Sequence, residues 1–172
     1  MHLVAPDVGL DRFVDPAEPA ASHPLLDHAV SAALEGADLP SDRGIEVRIA
    51  SHVPPGASLG TSASVLVALL GAVDALVSET PRFPEDLAVS AHRVETVRAG
   101  REAGVQDHWA AAVGGAGLLA IGPYPEVRHE SIALPPRAAA ELDERLVTVV
   151  FGAHDSSLVH AQVINAMTGC GG

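Results

Sequence analysis

The spacing of apolar side chains predicts a series of helices. From Pro24, the segment PLLDHAVSAALEGAD repeats apolar residues at helical spacing and reaches Gly36, a typical helix stop. Residues 65–76, VLVALLGAVDAL, are so apolar that their helix must be largely buried. A further helix is predicted from Pro84 to a stop at Gly100, and a shorter alanine-rich one follows in VQDHWAAAVGG.

Alternation of apolar and polar residues predicts the strands. In GIEVRIAS, Ile45, Val47 and Ile49 alternate with charged residues, as in a half-buried strand. AGLLAIG and RLVTVVFG also favour strands, whereas the first 22 residues show little periodicity and predict an irregular or extended start. Because helices and strands mix without a strict repeat, the pattern predicts an α+β fold. The proline-rich stretch ALPPRAAAELDE is the one plausible boundary between domains.

A glycine-rich loop, PPGASLGTSAS at 54–64, joins the GIEVRIAS strand to the apolar helix. A strand, a glycine-rich turn and a helix start bring free backbone N–H groups and the positive end of a helix dipole to one place. Such a place binds anions, and phosphate is the natural ligand. The chain contains no lysine, so this is not a Walker loop. Backbone groups, hydroxyls and a metal ion would have to hold the phosphate.

Two other interpretations of the loop stay open. It can be a simple turn in which Thr61 or Ser62 caps a core helix. It also contains GASLG, which satisfies G-x-S-x-G with Ser58 as a nucleophile, followed by Asp107 and His154 in the chain order of a serine hydrolase. A nucleophile elbow requires the strand to run straight into the serine, and here two prolines intervene.

Two carboxylates form a second candidate cluster. Glu95 shares a helix face with two alanines, so it lies at the edge of the packed surface and requires a partner. Asp107 lies in the first turn of the next helix. Such a pair suits Mg²⁺ binding and general-base chemistry. Taken singly, Glu95 can instead form a surface ion pair with Arg93 or Arg98, and Asp107 can be a stabilising first-turn acid.

Composition narrows the class of protein. With 172 residues and 48% hydrophobic content, the chain is long enough to bury a core. Because only 3% of the residues are aromatic, that core must consist mostly of aliphatic side chains. A formal net charge of −12 without a basic run argues against nucleic acid and anionic membranes as partners. The sequence contains no run of about 18 apolar residues, so it predicts no membrane span. The single Cys170 fits a reducing compartment, so we expect a cytoplasmic protein.

Two motifs resemble those of the GHMP kinases (galactokinase, homoserine kinase, mevalonate kinase, phosphomevalonate kinase). PPGASLGTSAS is similar to their second signature, P-x-G-x-G-L-G-S-S-A, and GVQDHWAAAVGG resembles G-x-Q-D-Q-Y-A-A-A-x-G-G of the branch acting on heptose phosphates and fucose. GAHDSSLVHAQVI resembles a segment near the start of that branch's second domain. The resemblance covers residues 24–165. It implies an α+β fold of the ribosomal S5 domain 2-like type and phosphoryl transfer from ATP to a small-molecule hydroxyl.

The resemblance also implies roles for single residues. Ser62 and Glu95 would bind Mg²⁺, and Asp107 would orient or deprotonate the attacking hydroxyl. Ser58 departs from the family's glycine, and its Cβ would strain a loop that needs a positive φ. His108 with Trp109 replaces the common Gln-Tyr. The backbone N–H groups that would surround the ATP phosphates belong to the segment Pro55, Gly56, Ala57, Ser58, Leu59, Gly60, Thr61, Ser62 and Ala63.

From the resemblance we further expect a partial N-terminal ATP-binding domain over 1–139 and the beginning of a second domain over 140–172. The family's early R-x-P-x-R strand with its G-G-x-T-D turn, and its late glycine-rich signature, have no match in the sequence. We therefore expect a fragment that lacks kinase activity by itself and tends to self-associate. A non-catalytic remnant or nucleotide-binding module is the alternative. The expected acceptor is a sugar or sugar phosphate, first a heptose 7-phosphate, then fucose, with mevalonate well behind.

Overall fold

The first sheet is built largely from residues near the start of the chain. The computed structural model describes residues 1–17, 24–37, 44–54, 56–149 and 152. Strand β1 (His2–Ala5) pairs antiparallel with β2 (Leu10–Phe13) and parallel with β3 (Glu46–Arg48), in the order β2-β1-β3. The start, predicted to be irregular or extended, therefore contains two strands. Each has only four residues, too few to show a clear period.

The predicted helices are confirmed, and their ends follow local signals. The helices at Pro24 and Pro84 start with proline, and Gly36 and Gly100 adopt the left-handed backbone, with φ of 75° and 64°, just past the helix ends. The third helix continues without a break into a π-helical turn, Val94–Arg98. The α-helices are α1 (Pro24–Leu34), α2 (Thr61–Val77), α3 (Pro84–Arg93), α4 (Gln106–Val113) and α5 (Pro136–Arg145).

A hairpin and a final helix follow α4. Strand β4 (Gly117–Ile121) confirms the AGLLAIG prediction, and it pairs antiparallel with β5 (Val127–Ser131), whose polar sequence gave no strand signal. The prediction of a strand in RLVTVVFG is wrong for the residues that the structure describes there. Arg145 is the last residue of α5, and residues 146–149 are exposed and not part of a strand. Helix α5 also crosses the predicted boundary between 139 and 140, where the domain division stays a prediction.

The main core lies between the first sheet and the helices α1 and α2. Leu3 of β1, Val30 of α1, and Leu66 and Leu70 of α2 are fully buried there. Helices α3 and α4 pack against α2 and against each other. A small second cluster, Ala88, Val105 and Trp109, lies between α3 and α4. The start of α2 is therefore held by two further helices, which brings their polar side chains close to the glycine-rich loop.

None of the helices in the described residues combines the length and apolar character needed to cross a membrane.

Candidate functional site

The glycine-rich loop turns sharply before α2. Gly56, Ser58 and Gly60 have positive φ angles of 77°, 53° and 64°. Ser58 is the only non-glycine residue with a positive φ in the described part of the chain. The serine that replaces the family's glycine therefore lies at a strained backbone position. Pro55, at the start of the loop, lies outside the described residues.

Helix α2 begins without a side-chain cap. Gly60 is its N-cap residue, and Thr61 and Ser62 are already helical, so the alternative interpretation in which one of them caps the helix is wrong. The first turn keeps its free N–H groups and the positive end of the dipole. Of the predicted loop residues, Leu59 is exposed and Ala57 half-buried, while Ala63 points into the core. A ligand at the loop could therefore contact the side chain of Leu59 but not that of Ala63.

Glu95 lies on the π-helical turn, where the amide of Ala99 donates to the carbonyl of Val94 at 2.9 Å. Single π turns inside helices frequently occur at functional sites. As a whole residue Glu95 is 5% exposed, so it is more buried than the predicted edge position. The Ser62 hydroxyl lies close enough to the carboxylate to favour its ionised form, and Oε2 of Glu95 is 2.9 Å from Nε2 of His108. The alternative in which Glu95 forms a surface ion pair with Arg93 or Arg98 is therefore wrong.

Two opposing effects set the charge of Glu95. Burial by itself would raise the pKa of this carboxyl. The contacts with the His108 ring and the Ser62 hydroxyl, helped by the positive charge of Arg101, outweigh burial and hold the pKa of Glu95 below its ordinary value. Glu95 is therefore a buried carboxylate that stays ionised at neutral pH, as a cation ligand must be.

Asp107 meets the loop from α4. It lies in the first turn of that helix, as predicted, and its side chain is exposed. A Cβ placed on Gly60 would lie 3.2 Å from Cβ and Cγ of Asp107 and 3.3 Å from its Oδ2. Glycine at 60 thus serves both the positive φ and the close approach of the carboxylate. The loop, Ser62, Glu95 and Asp107 converge around the start of α2.

Histidine and tyrosine side chains that the sequence analysis missed lie behind this cluster. His92 of α3 and His108 of α4 are buried and meet edge-on, with ring centroids 5.3 Å apart. Nε2 of His92 lies 2.8 Å from the Tyr124 hydroxyl, which donates to the carbonyl of Ala103 at 2.9 Å. The sequence contains only a weak signal for these residues, namely two histidines on helix faces that are otherwise rich in alanine.

The oxygen atoms around the start of α2 suit a hard cation. The hydroxyl of Ser62 and the carboxylate of Glu95 are the donor types that Mg²⁺ prefers. No group of three or more His, Cys, Asp or Glu side chains in the described residues could hold a metal by itself. A cation here would therefore need further ligands from water or a phosphate, which is common for Mg²⁺. Oγ1 of Thr61 is also buried without a hydrogen-bond partner among the described residues.

A cavity of about 740 Å³ adjoins the loop between β3 and α2. Its walls are mainly apolar, formed by the β3 segment and one face of α2. Leu59, Thr61 and Ser64 line its end at the loop. An apolar cavity next to a helix start can hold the uncharged part of a ligand whose anionic part lies at the N–H groups.

The hydrolase alternative lacks its geometry. Strand β3 ends at Arg48, far before Ser58, so no strand runs into the serine as a nucleophile elbow requires. His154, the proposed base, lies outside the described residues.

Known proteins share the segment that carries this site. The family model for the GHMP kinases N terminal domain matches residues 25–115. The mevalonate kinase of Pyrococcus abyssi (strain GE5 / Orsay) is 40% identical over 88 residues, which are 51% of this chain and 25% of that protein. The mevalonate kinase of Pyrococcus horikoshii is 41% identical over 88 residues, with the same coverage.

The same fold occurs in a solved structure. A D-glycero-D-manno-heptose 1-phosphate kinase from Bacteriodes thetaiotaomicron superposes with a TM-score of 0.69 at 21% identity, covering 82% of this chain and 46% of that one. At this identity the likeness shows the fold alone. The chain spans about a quarter of the length of the curated relatives it matches and under half of the solved structure.

Proposed function

The chain belongs to the GHMP kinase family through its N-terminal domain, and on that premise we propose that it binds Mg-ATP and transfers the γ-phosphoryl group to a small-molecule hydroxyl. The predicted family and its α+β fold are confirmed. The observation that carries the proposal is the meeting of the glycine-rich loop, the Ser62–Glu95 pair and Asp107 at the start of α2.

The loop would hold the phosphates with its backbone. The N–H groups between Gly56 and Ala63 lie at an uncapped helix start, where they favour negative charge. With no lysine in the chain, the remaining attraction must come from hydroxyls and a cation. The apolar cavity that begins at Leu59 suits the nucleoside part of the same ligand.

Ser62 and Glu95 would hold the magnesium ion. A Ser62 hydroxyl that directs its hydrogen toward the nearby Glu95 carboxylate would leave its oxygen lone pairs free to face a cation. The low pKa of Glu95 keeps the second ligand ionised. When bound, Mg²⁺ neutralises charge on the phosphate oxygens during phosphoryl transfer.

Asp107 would orient the attacking hydroxyl or accept its proton. Its carboxylate is exposed and lies against Gly60, beside the position where the loop would hold the terminal phosphate. Such a group contributes about 10² to 10⁴ in rate when it is within hydrogen-bonding reach of the proton.

A sugar phosphate such as a heptose 7-phosphate is the proposed acceptor, because GVQDHWAAAVGG resembles the branch acting on such sugars. Mevalonate is the second candidate, since relatives at 40% and 41% identity are mevalonate kinases. ADP release measured with heptose phosphates, fucose, other hexoses and mevalonate distinguishes them. Mg-ATP binding without turnover on any of these acceptors would favour the alternative, a nucleotide-binding module.

Hydrogen exchange tests the nucleotide site directly. We expect Mg-ATP to slow exchange in the segment 54–64 more than in any other segment, because its N–H groups would bind phosphate. AMP with Mg²⁺, which lacks the β- and γ-phosphates, is the control and should protect the loop less. Unchanged exchange with Mg-ATP, together with labelling of Ser58 by an ester-reactive serine probe, would replace the kinase proposal with the hydrolase alternative.

A further inference from the structure

Glu95 has a second buried neighbour besides Ser62. The Glu95 and His108 side chains are 6% and 1% exposed, and Oε2 of Glu95 lies 2.9 Å from Nε2 of His108. Although the two atoms are close, their geometry is not that of a regular hydrogen bond. A buried carboxylate without such neighbours would pay a large desolvation cost.

The His108 ring is itself held in place from two sides. Nδ1 lies 3.3 Å from the carbonyl oxygen of Gly104, in the segment just before α4. The ring of His92 packs edge-on against it at an interplanar angle of 88°. His92 is fixed in turn by contacts of Nε2 with the Tyr124 hydroxyl and the Ala103 carbonyl. The imidazole that faces Glu95 therefore has little freedom to turn away.

We propose that His108 is a positioning residue that holds the Glu95 carboxylate against the Ser62 hydroxyl, so that both oxygen ligands of a Mg²⁺–nucleotide complex are set before the ligand arrives. The inference rests on the proposed function, since it concerns the same cation. A ligand held from behind by a second group is typical of metal sites, where loss of that group costs about 10- to 100-fold in metal affinity.

Replacing the ring tests this role. His108→Leu keeps an apolar side chain of moderate size in the buried position but removes the polar contact. Titration calorimetry should show Mg-ATP affinity weakened by about tenfold, whereas ATP binding in EDTA should change by less than about twofold, because the loop backbone is untouched. His108→Gln retains an N–H donor and should recover most of the Mg-dependent affinity.

A double-mutant cycle separates positioning from folding. In a Glu95→Gln background, His108→Leu should cause little further loss of Mg-ATP affinity, because the group that the ring holds has already lost its charge. A merely structural His108 would lower ATP affinity equally with and without Mg²⁺, together with the melting temperature. If His108→Leu does not fold, His108→Met, which also removes the polar ring and has a more adaptable side chain, replaces it in the cycle.

The outcomes distinguish the two proposals. If the wild-type chain shows no Mg-dependent gain in ATP affinity, the proposed function fails at this site. If the wild-type chain binds Mg-ATP but His108→Leu keeps the same dependence on Mg²⁺, the positioning role is wrong while the proposed function stands.

Discussion

Single side chains at this site owe their chemistry to their neighbours. Glu95 is buried, which favours the neutral acid, yet its contacts with His108 and Ser62 favour the ionised form and lower its pKa. Asp107 is exposed and contacts the loop through its close approach to Gly60. In the proposed function, Glu95 would stay charged beside a cation, and the exposed Asp107 would meet the acceptor.

Because the two carboxylates occupy different positions, replacing each by its amide should have a different effect. Asp107→Asn should lower turnover by at least about 10²-fold with little change in Mg-ATP affinity, because a base acts in the transition state. Glu95→Gln should instead raise the Mg²⁺ concentration needed for half-maximal nucleotide binding by about tenfold. Acceptor-dependent ADP release and calorimetry measure the two effects. Equal loss of ATP affinity in both variants would contradict this division of roles.

At the scale of secondary-structure elements, an ion pair between a half-buried arginine and a fully buried aspartate joins β2 to α1. The guanidinium of Arg12 on β2 contacts the carboxylate of Asp27 in the first turn of α1, and Asp27 is fully buried. Oδ2 of Asp27 has no hydrogen-bond partner among the described residues. Arg12 is thus the main compensation for a charge that folding removes from water.

Removing Arg12 should therefore be costly. Arg12→Met leaves a buried, unpaired carboxylate and should lower the free energy of unfolding by about 3–5 kcal/mol. The double variant with Asp27→Leu should recover most of that loss, because no buried charge remains. Urea unfolding of the purified chain measures both.

The matched control for this prediction is Arg48→Met. Arg48 is paired with Glu46 on the surface, and both side chains are largely exposed, so the change should be within about 1 kcal/mol. An Arg12→Met variant as stable as the control would show that Asp27 contributes no buried charge to the fold.

At the scale of the whole molecule, an open sheet edge favours self-association and the net charge opposes it. In the described sheet β3 is an edge strand. Ile45 and Ile49 use their backbone groups to bond β1, with distances of 2.9 and 2.8 Å. The N–H groups of Glu46 and Arg48 therefore point away from β1, as alternation along a strand requires. Such an edge can pair with a second copy, while the net charge of −12 repels one.

Self-association of the chain should therefore increase with salt. Sedimentation at about 20 mM and about 500 mM NaCl should show more association at the higher concentration, because screening shortens the repulsion. Arg48→Pro removes one outward N–H and should reduce the association, whereas Arg48→Ala keeps that N–H and should not. Equal association of the two variants, at equal thermal stability, would show that the β3 edge is not the contact.

The sequence alone determined those features that depend on neighbouring residues. The helices at Pro24 and Pro84, the glycine stops, the half-buried strand and the loop before α2 follow from periods and turn residues that act over a few positions. The motifs in the loop and in GVQDHWAAAVGG also determined the family, because they are contiguous. Short strands such as β1 and β2, and the polar β5, could not be predicted, since their stability comes from pairing with distant residues.

Only the tertiary structure decided how the site is assembled. Packing of α3 and α4 against α2 brings Glu95 to Ser62 and His108, and Asp107 to Gly60, across separations that no local pattern records. The same packing buried Glu95 where the helix face predicted an edge position, and it gave His108 a partner. The physical reason is that side-chain burial and electrostatic contacts are properties of neighbouring surfaces, whereas sequence periodicity specifies only which face of each element is apolar.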